Sequence, residues 1–214
     1  VIKRKDNLWT EGERRVLRRL TTPLAIQEYL DGLPYSGEKI YRCPRSVLRD
    51  RRAHCFDGAV FAAAVLCEIG HPPLILELIP NRRDDDHIIA PFRAGALWGA
   101  VSKSNFALLR YREPVYPTLR ALVLSYFEGF FNLARERTLR AFGAPLPLAR
   151  FDRAGWRFAD STMYAIARGL DRSRRTKLVT PAMASRLTLV DRRLFQAGTL
   201  GLDRSGVYRP KKKR

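Results

Sequence analysis

Apolar residues concentrate in the middle of the chain. From Cys55 to Ile69 the sequence reads CFDGAVFAAAVLCEI, rich in alanine and apolar on nearly every side. A segment without a polar stripe predicts a buried helix rather than a surface one. Gly70 suits its C-terminal stop, and Pro72-Pro73 forbid continuation. Leu74–Ile79 (LILELI) predicts a buried strand and Pro80–Asp86 a polar turn. His87–Phe92 (HIIAPF) predicts a second strand, Gly95 turns the chain, and Ala96–Val101 (ALWGAV) predicts a third. Sequential strands joined by short turns predict antiparallel pairing.

The flanks read as helical. Residues 1–20 predict an exposed lead-in. Thr22 and Pro23 open a helix whose apolar face carries Leu24, Ile26, Tyr29 and Leu30, and Gly32 and Pro34 end it. Residues 35–50 predict a loop with a short helix around Ser46–Arg49. After Pro114, the spacing of Leu119, Leu122, Val123, Tyr126, Phe127, Phe130 and Ala134 predicts the longest helix of the protein. The aromatic residues Tyr126, Phe127, Phe130 and Phe131 are expected in the core. Pro145 and Pro147 break the chain, and further helices are expected near Ser161–Leu170 and Pro181–Leu189. No internal repeat is visible. The pattern is that of an α+β protein: a core over 21–112, a helical C-terminal extension over 113–207, and a basic tail over 208–214 expected to be disordered.

With 214 residues, 46% of them hydrophobic, the chain can build one large domain with a sizeable core. The longest apolar run, Gly58–Cys67, falls short of the roughly 20 residues of a membrane span. Val1–Leu20 is basic and lacks the apolar stretch of a secretory signal. Three cysteines without a CxxC pair predict reduced thiols rather than a disulfide framework or structural zinc, and hence a cytoplasmic protein. The net charge of +19 would speed encounter with a polyanion such as nucleic acid. The arginines are nevertheless spread along the chain, and only Arg209–Arg214 forms a cluster.

Two nucleotide and hydrolase patterns drop out. Gly32–Lys39 (GLPYSGEK) lacks the Lys-Ser/Thr ending and the preceding strand of a phosphate loop, and no GxSxG elbow is present. Asp84–Asp86 reads as a solvated acidic turn, preferred over a metal-binding run with His87. A cysteine nucleophile remains. Its thiolate attacks, and a helix N-terminus favours that anion and offers N–H groups to an oxyanion. Cys55 sits where its helix should begin, Cys67 lies three turns deeper, and Cys43 precedes a proline in a loop. Among three histidines, His54 is the sequence neighbour and His71 is at the far end of the helix. His87 begins the strand against which the helix should pack. A third group on the neighbouring strand should orient the imidazole.

This order resembles the transglutaminase-like superfamily, whose core is the papain-like cysteine-protease fold. The matching stretches are HCFDGAVFAAAVL (54–66), DDDHIIAPF (84–92) and ALWGAVSKSN (96–105), with TPLAIQEYLDGLPY (22–35) similar to the helix before the nucleophile. The resemblance implies Cys55 as nucleophile and His87 as general base. Ser102 stands where the family places an Asp, and Asn105 is a second candidate because papain-like enzymes use Asn. It implies no metal or organic cofactor. Three functions stay open: a thiol-dependent hydrolase or acyltransferase acting on a peptide or amide carbonyl, a catalytically degenerate binding module, and a basic nucleic-acid-binding protein.

Overall fold

The computed structural model describes residues 8–208. Residues 1–7 of the expected lead-in and the basic run Arg209–Arg214 lie outside the described residues. Helix α1 (Glu11–Leu17) opens on a capping box in which Thr10 and Glu13 bond each other's backbone. Helix α2 (Pro23–Asp31) starts where Thr22 caps the Ala25 N–H and Pro23 fills the first turn. Helix α3 (Pro44–Asp50) ends on Arg51, which adopts the left-handed region at φ 50°. The buried apolar segment forms α4 (Cys55–Glu68), and Gly70 at φ 96° turns the chain after it.

The strands are β1 (Leu74–Pro80), β2 (His87–Ala94), β3 (Leu97–Val101), β4 (Arg112–Tyr116), β5 (Leu139–Gly143), β6 (Leu146–Pro147) and β7 (Arg175–Lys177). They form one antiparallel sheet in the order β4-β3-β2-β1-β5-β7, with β6 also pairing β1. Gly95, at φ 59°, makes the tight β2–β3 turn. Helix α5 (Leu119–Leu124) follows β4, α6 (Met163–Asp171) precedes β7, and α7 (Pro181–Ala184) and α8 (Arg192–Gly198) close the described chain. The architecture is thus mixed α+β, an antiparallel sheet flanked by helices with a C-terminal helical region.

Strand alternation divides the core into two layers. Ile75, Ile88, Ala90 and Val101 point to α4, where Ala59, Ala62 and Ala63 let the helix lie close to the sheet. Ile26 and Leu30 of α2 and Ile166 and Leu170 of α6 complete that layer. Leu76, Leu78, Ile89 and Ala100 point the other way, to Leu122 and Val123 of α5 and to Tyr126, Phe130 and Phe142.

The long helix expected from Leu119 to Ala134 is not formed. Helix α5 stops at Leu124, and a 3-10 turn covers Phe127–Gly129. Ser125 Oγ donates back to the Leu122 carbonyl at 2.6 Å and accepts from Arg112 Nε at 2.9 Å, which ties the helix end to β4. Gly129 then passes so near Leu108 that a methyl there would stand 2.6 Å from its Cβ. The aromatic residues do belong to the core, but to different parts of it. Tyr126 and Phe130 join the sheet, while Phe131 meets Phe106 and Phe195. The C-terminal half also carries β5, β6 and β7, short strands that no period-2 run announced. Among the described residues no helix is long and apolar enough to cross a membrane.

Candidate functional site

The start of α4 is fixed by side chains. His54 is its N-cap, with Nδ1 accepting from the N–H groups of Phe56 at 3.1 Å and Asp57 at 3.4 Å. Its Nε2 therefore carries the proton and donates to the Ile40 carbonyl at 3.2 Å. Asp57 returns the cap by accepting from the His54 N–H at 3.4 Å, and it also accepts from the Arg42 N–H at 2.8 Å. The buried Arg42 guanidinium links Asp57, Asp50 and Glu38. Burial pushes Asp57 up to about 7, against the pull of those N–H groups and of Arg42. Cys55 is the first residue of the helix so capped.

His87 opens β2 and is buried. Its Nε2 lies 2.6 Å from Ser102 Oγ and 3.0 Å from the Leu109 carbonyl. Ser102 Oγ itself donates to Leu109 O at 3.0 Å. A carbonyl can only accept, so Nε2 is the protonated nitrogen and Nδ1 keeps its lone pair. The ring rests edge-on against Phe130, centroids 6.4 Å apart. Ser102 is held in turn by Gln27, which bonds both its N–H and its carbonyl at 2.9 Å. Lys103 is buried beside it and donates to the Leu30 carbonyl at the end of α2 and to the Leu33 carbonyl just beyond it.

Cys55 and His87 line one cavity of about 60 Å³, together with Tyr35, Asp84–Asp86, Asn105 and Gly206–Tyr208. They reach it from opposite sides of β2. Ile88 faces α4, so His87 and Ile89 face the other layer. Among the described residues no hydrogen bond joins the two side chains, and the Cys55 thiol contacts the Asp86 carbonyl at 4.0 Å. The sequence reading placed His87 on the strand against which α4 packs; strand parity turns its imidazole to the face away from α4. Ser102 is brought to His87 as expected. Asn105 is not: its amide bonds the backbone of Asp203.

The electrostatics differ from those of a free helix start. Burial, then the carboxylates of Asp86 and Asp85, push the Cys55 thiol from 9.0 up to about 12. That displacement corresponds to about 4 kcal/mol, whereas a helix terminus supplies about 0.3–2 kcal/mol. Desolvation and the acidic turn therefore outweigh the helix dipole, and the resting group is a thiol. Burial likewise pushes His87 down to about 4, with the Leu109 carbonyl opposing and Arg112 reinforcing the shift. Both side chains are neutral: the sulfur keeps its proton, and the imidazole carries a single one, on Nε2. A neutral thiol reacts through general-base chemistry, in which the proton leaves sulfur as the new bond forms.

The acidic turn is partly internal. Asp84 accepts from Thr138 Oγ1 and from the Asp85 N–H, and Asp85 accepts from the Asp86 N–H. Among the described residues no group of three or more His, Cys, Asp and Glu side chains is placed to hold a metal ion. Gln27, Tyr35 and His54 are site residues that pattern reasoning missed. Gln27 had a signal, a polar residue on the buried side of α2 between Ile26 and Leu30. Of the other cysteines, Cys43 is the N-cap residue of α3 and is buried beside Ser46, and Cys67 lies 3.6 Å from Arg157 Nη2. No protein-family model matches the chain, and no curated protein matches it.

Proposed function

We propose that the protein is a thiol-dependent hydrolase or acyltransferase acting on a peptide or amide carbonyl, built on a transglutaminase-like, papain-like core. One observation carries the reading: Cys55 opens α4 on the same cavity as His87, whose Nε2–H is committed to Leu109 and whose Nδ1 keeps its lone pair. In the reaction, Cys55 Sγ attacks the carbonyl carbon as His87 takes the thiol proton. The His54 cap takes the N–H groups of Phe56 and Asp57, so the Cys55 N–H is the one at the start of α4 left for the developing oxyanion. Collapse expels the amine, which takes the proton from His87, and leaves a thioester on Cys55. Water then gives the acid, or an amine gives the exchanged amide. Ser102 is a positioning residue for His87. A reduced-thiol, cytoplasmic setting suits this chemistry.

Release of amine from a peptide-amide library tests it. The wild type is expected to turn over, Cys55→Ala to be inactive, and His87→Ala to lose at least about a hundredfold. Equal background rates in all three would refute it.

A second reading, a degenerate module kept for binding, draws on the thiol being pushed up to about 12 and on the uncharged Ser102 beside His87. Inactivity on every amide, combined with unaltered ligand binding by Cys55→Ala, would favour it. A polyanion partner such as nucleic acid draws on a separate hollow of about 650 Å³ lined by Arg150, Arg168, Arg172 and Arg174. Binding there should fall steeply with salt.

A further inference from the structure

The last described segment of the chain runs back across the cavity that holds Cys55. Asn105 Nδ2 donates to the Asp203 carbonyl at 2.8 Å, and the Asp203 N–H donates to Asn105 Oδ1 at 2.8 Å. A side-chain amide bonded to both polar groups of one residue imitates a neighbouring strand, and it reads backbone rather than side chain. Asn105 is only 8% exposed, and the pairing it makes is partly buried. Beyond Asp203 the chain makes a 3-10 turn over Arg204–Gly206, steadied by Asp203 Oδ1 accepting from the Ser205 N–H and hydroxyl. Gly206, Val207 and Tyr208 then enter the cavity lining.

Two glycines set how near the segment comes. A methyl on Gly206 would stand 2.6 Å from Tyr35 Cδ1 and 3.2 Å from Asn105 Nδ2. A methyl on Gly37 would stand 2.7 Å from the Ser205 carbonyl oxygen. Both approaches to 2.6–2.7 Å are closer than a real Cβ tolerates. The Tyr35 ring that Gly206 touches also lines the cavity with Cys55, and the thiol helps to hold the phenol above its usual pKa, after burial. One ring thus separates Gly206 from the sulfur.

We propose that Tyr35 and Asn105 form a subsite for a polypeptide turn with glycine seated on the Tyr35 ring, and that Asp203–Tyr208 occupies it in the resting protein. It rests on the thiol-enzyme reading only in calling that polypeptide a substrate; as a binding site it stands on its own contacts. The clamp at Asn105 accepts any residue, because it bonds only backbone. The seat at Tyr35 accepts glycine, because any Cβ would meet the ring. A tethered occupant acts at an effective concentration of about a millimolar, so a free polypeptide enters only by outcompeting it.

The test uses the full chain and reads iodoacetamide labelling at Cys55, with Cys67 as internal reference and hydrogen exchange run in parallel. Gly206→Ala is expected to label about tenfold faster than wild type. Exchange should rise at 203–208 while α4 stays protected. Added acetyl-Asp-Arg-Ser-Gly-Val-Tyr-amide should restore slow labelling, and the peptide with alanine in place of glycine should not. In Asn105→Ala neither peptide should protect. Gly37→Ala displaces the same segment from its other side and serves if Gly206→Ala does not fold. Unchanged labelling and exchange in the folded glycine variants overturns the occupancy, and fast labelling that no peptide slows overturns the subsite. Labelling reports access, not turnover, so a protein that binds the peptide but cleaves no amide sinks the enzyme reading alone.

Discussion

Gln27 grips the backbone of Ser102 with both ends of its amide, 75 residues away in sequence. Its Nε2 donates to the Ser102 carbonyl and to Asp31 Oδ1, and its Oε1 accepts the Ser102 N–H. Helix α2 thereby sets the strand end whose hydroxyl meets His87. Gln27→Leu leaves both backbone groups buried without partners. The expected loss is about 2–4 kcal/mol, seen as a lower urea midpoint with an unchanged slope.

His54 caps α4 only while neutral. Burial pushes its pKa from 6.5 down to about 4, against the Ile40 carbonyl and with Arg42 reinforcing. The unfolded chain therefore binds more protons between those values, and the cap's contribution is full above pH 6.5 and lost as pH falls towards 4. Asp57, raised to about 7, lies 3.5 Å from the ring and works in the opposite sense. The comparison is accordingly wild type against His54→Ala. The difference in unfolding free energy should be about 1 kcal/mol at pH 7.5 and should shrink on acidification. A difference independent of pH would show that the ring caps nothing.

His87 should appear in nitrogen NMR as a neutral ring protonated on Nε2, titrating near 4. Ser102→Asp places a carboxylate beside that nitrogen. It should raise the midpoint by at least about one pH unit. A midpoint that stays put would mean the hydroxyl is not in contact with the ring in solution.

Cys55 should react as a thiol, not a thiolate. Its alkylation rate is expected to keep climbing past pH 10, without the low-pH plateau of an ion pair. Asp86→Asn removes the larger of the two carboxylate effects and should speed labelling several-fold at pH 8. A plateau at neutral pH in the wild type would contradict the neutral pair.

The segment from Cys55 to Val101 was legible because each element carries its own local signal. Helix α4 has its apolar run and Gly70; β1 to β3 have short apolar runs and Gly95 at the turn. Helix α5 was misjudged because helical spacing also fits a chain whose aromatic residues bury in several directions, and Gly129 and Ser125 decide between the two by long-range contact. Ser102 was found from its place at the end of β3. Asn105 was found but given the wrong partner, since nothing near it in sequence announces Asp203. The acidic run next to His87 was read as solvated, and Asp85 and Asp86 are exposed; their carboxylates also reinforce burial in keeping the thiol protonated, which no local pattern announced. The strand of His87 was legible but its face was not assigned: Ile88 faces α4, so the imidazole falls on the other side of the sheet.

The covering of the cavity also has a history within each molecule. Synthesis runs from the N-terminus, so Asn105 leaves the ribosome 98 residues before Asp203 does. Tyr35, Cys55, His87 and Asn105 all precede the segment that shields them. Every newly made copy therefore passes through an interval in which the groove has walls and no tenant. A polypeptide already present in that interval competes against no tether, and the age of the molecule, rather than its composition, decides which occupant it meets first.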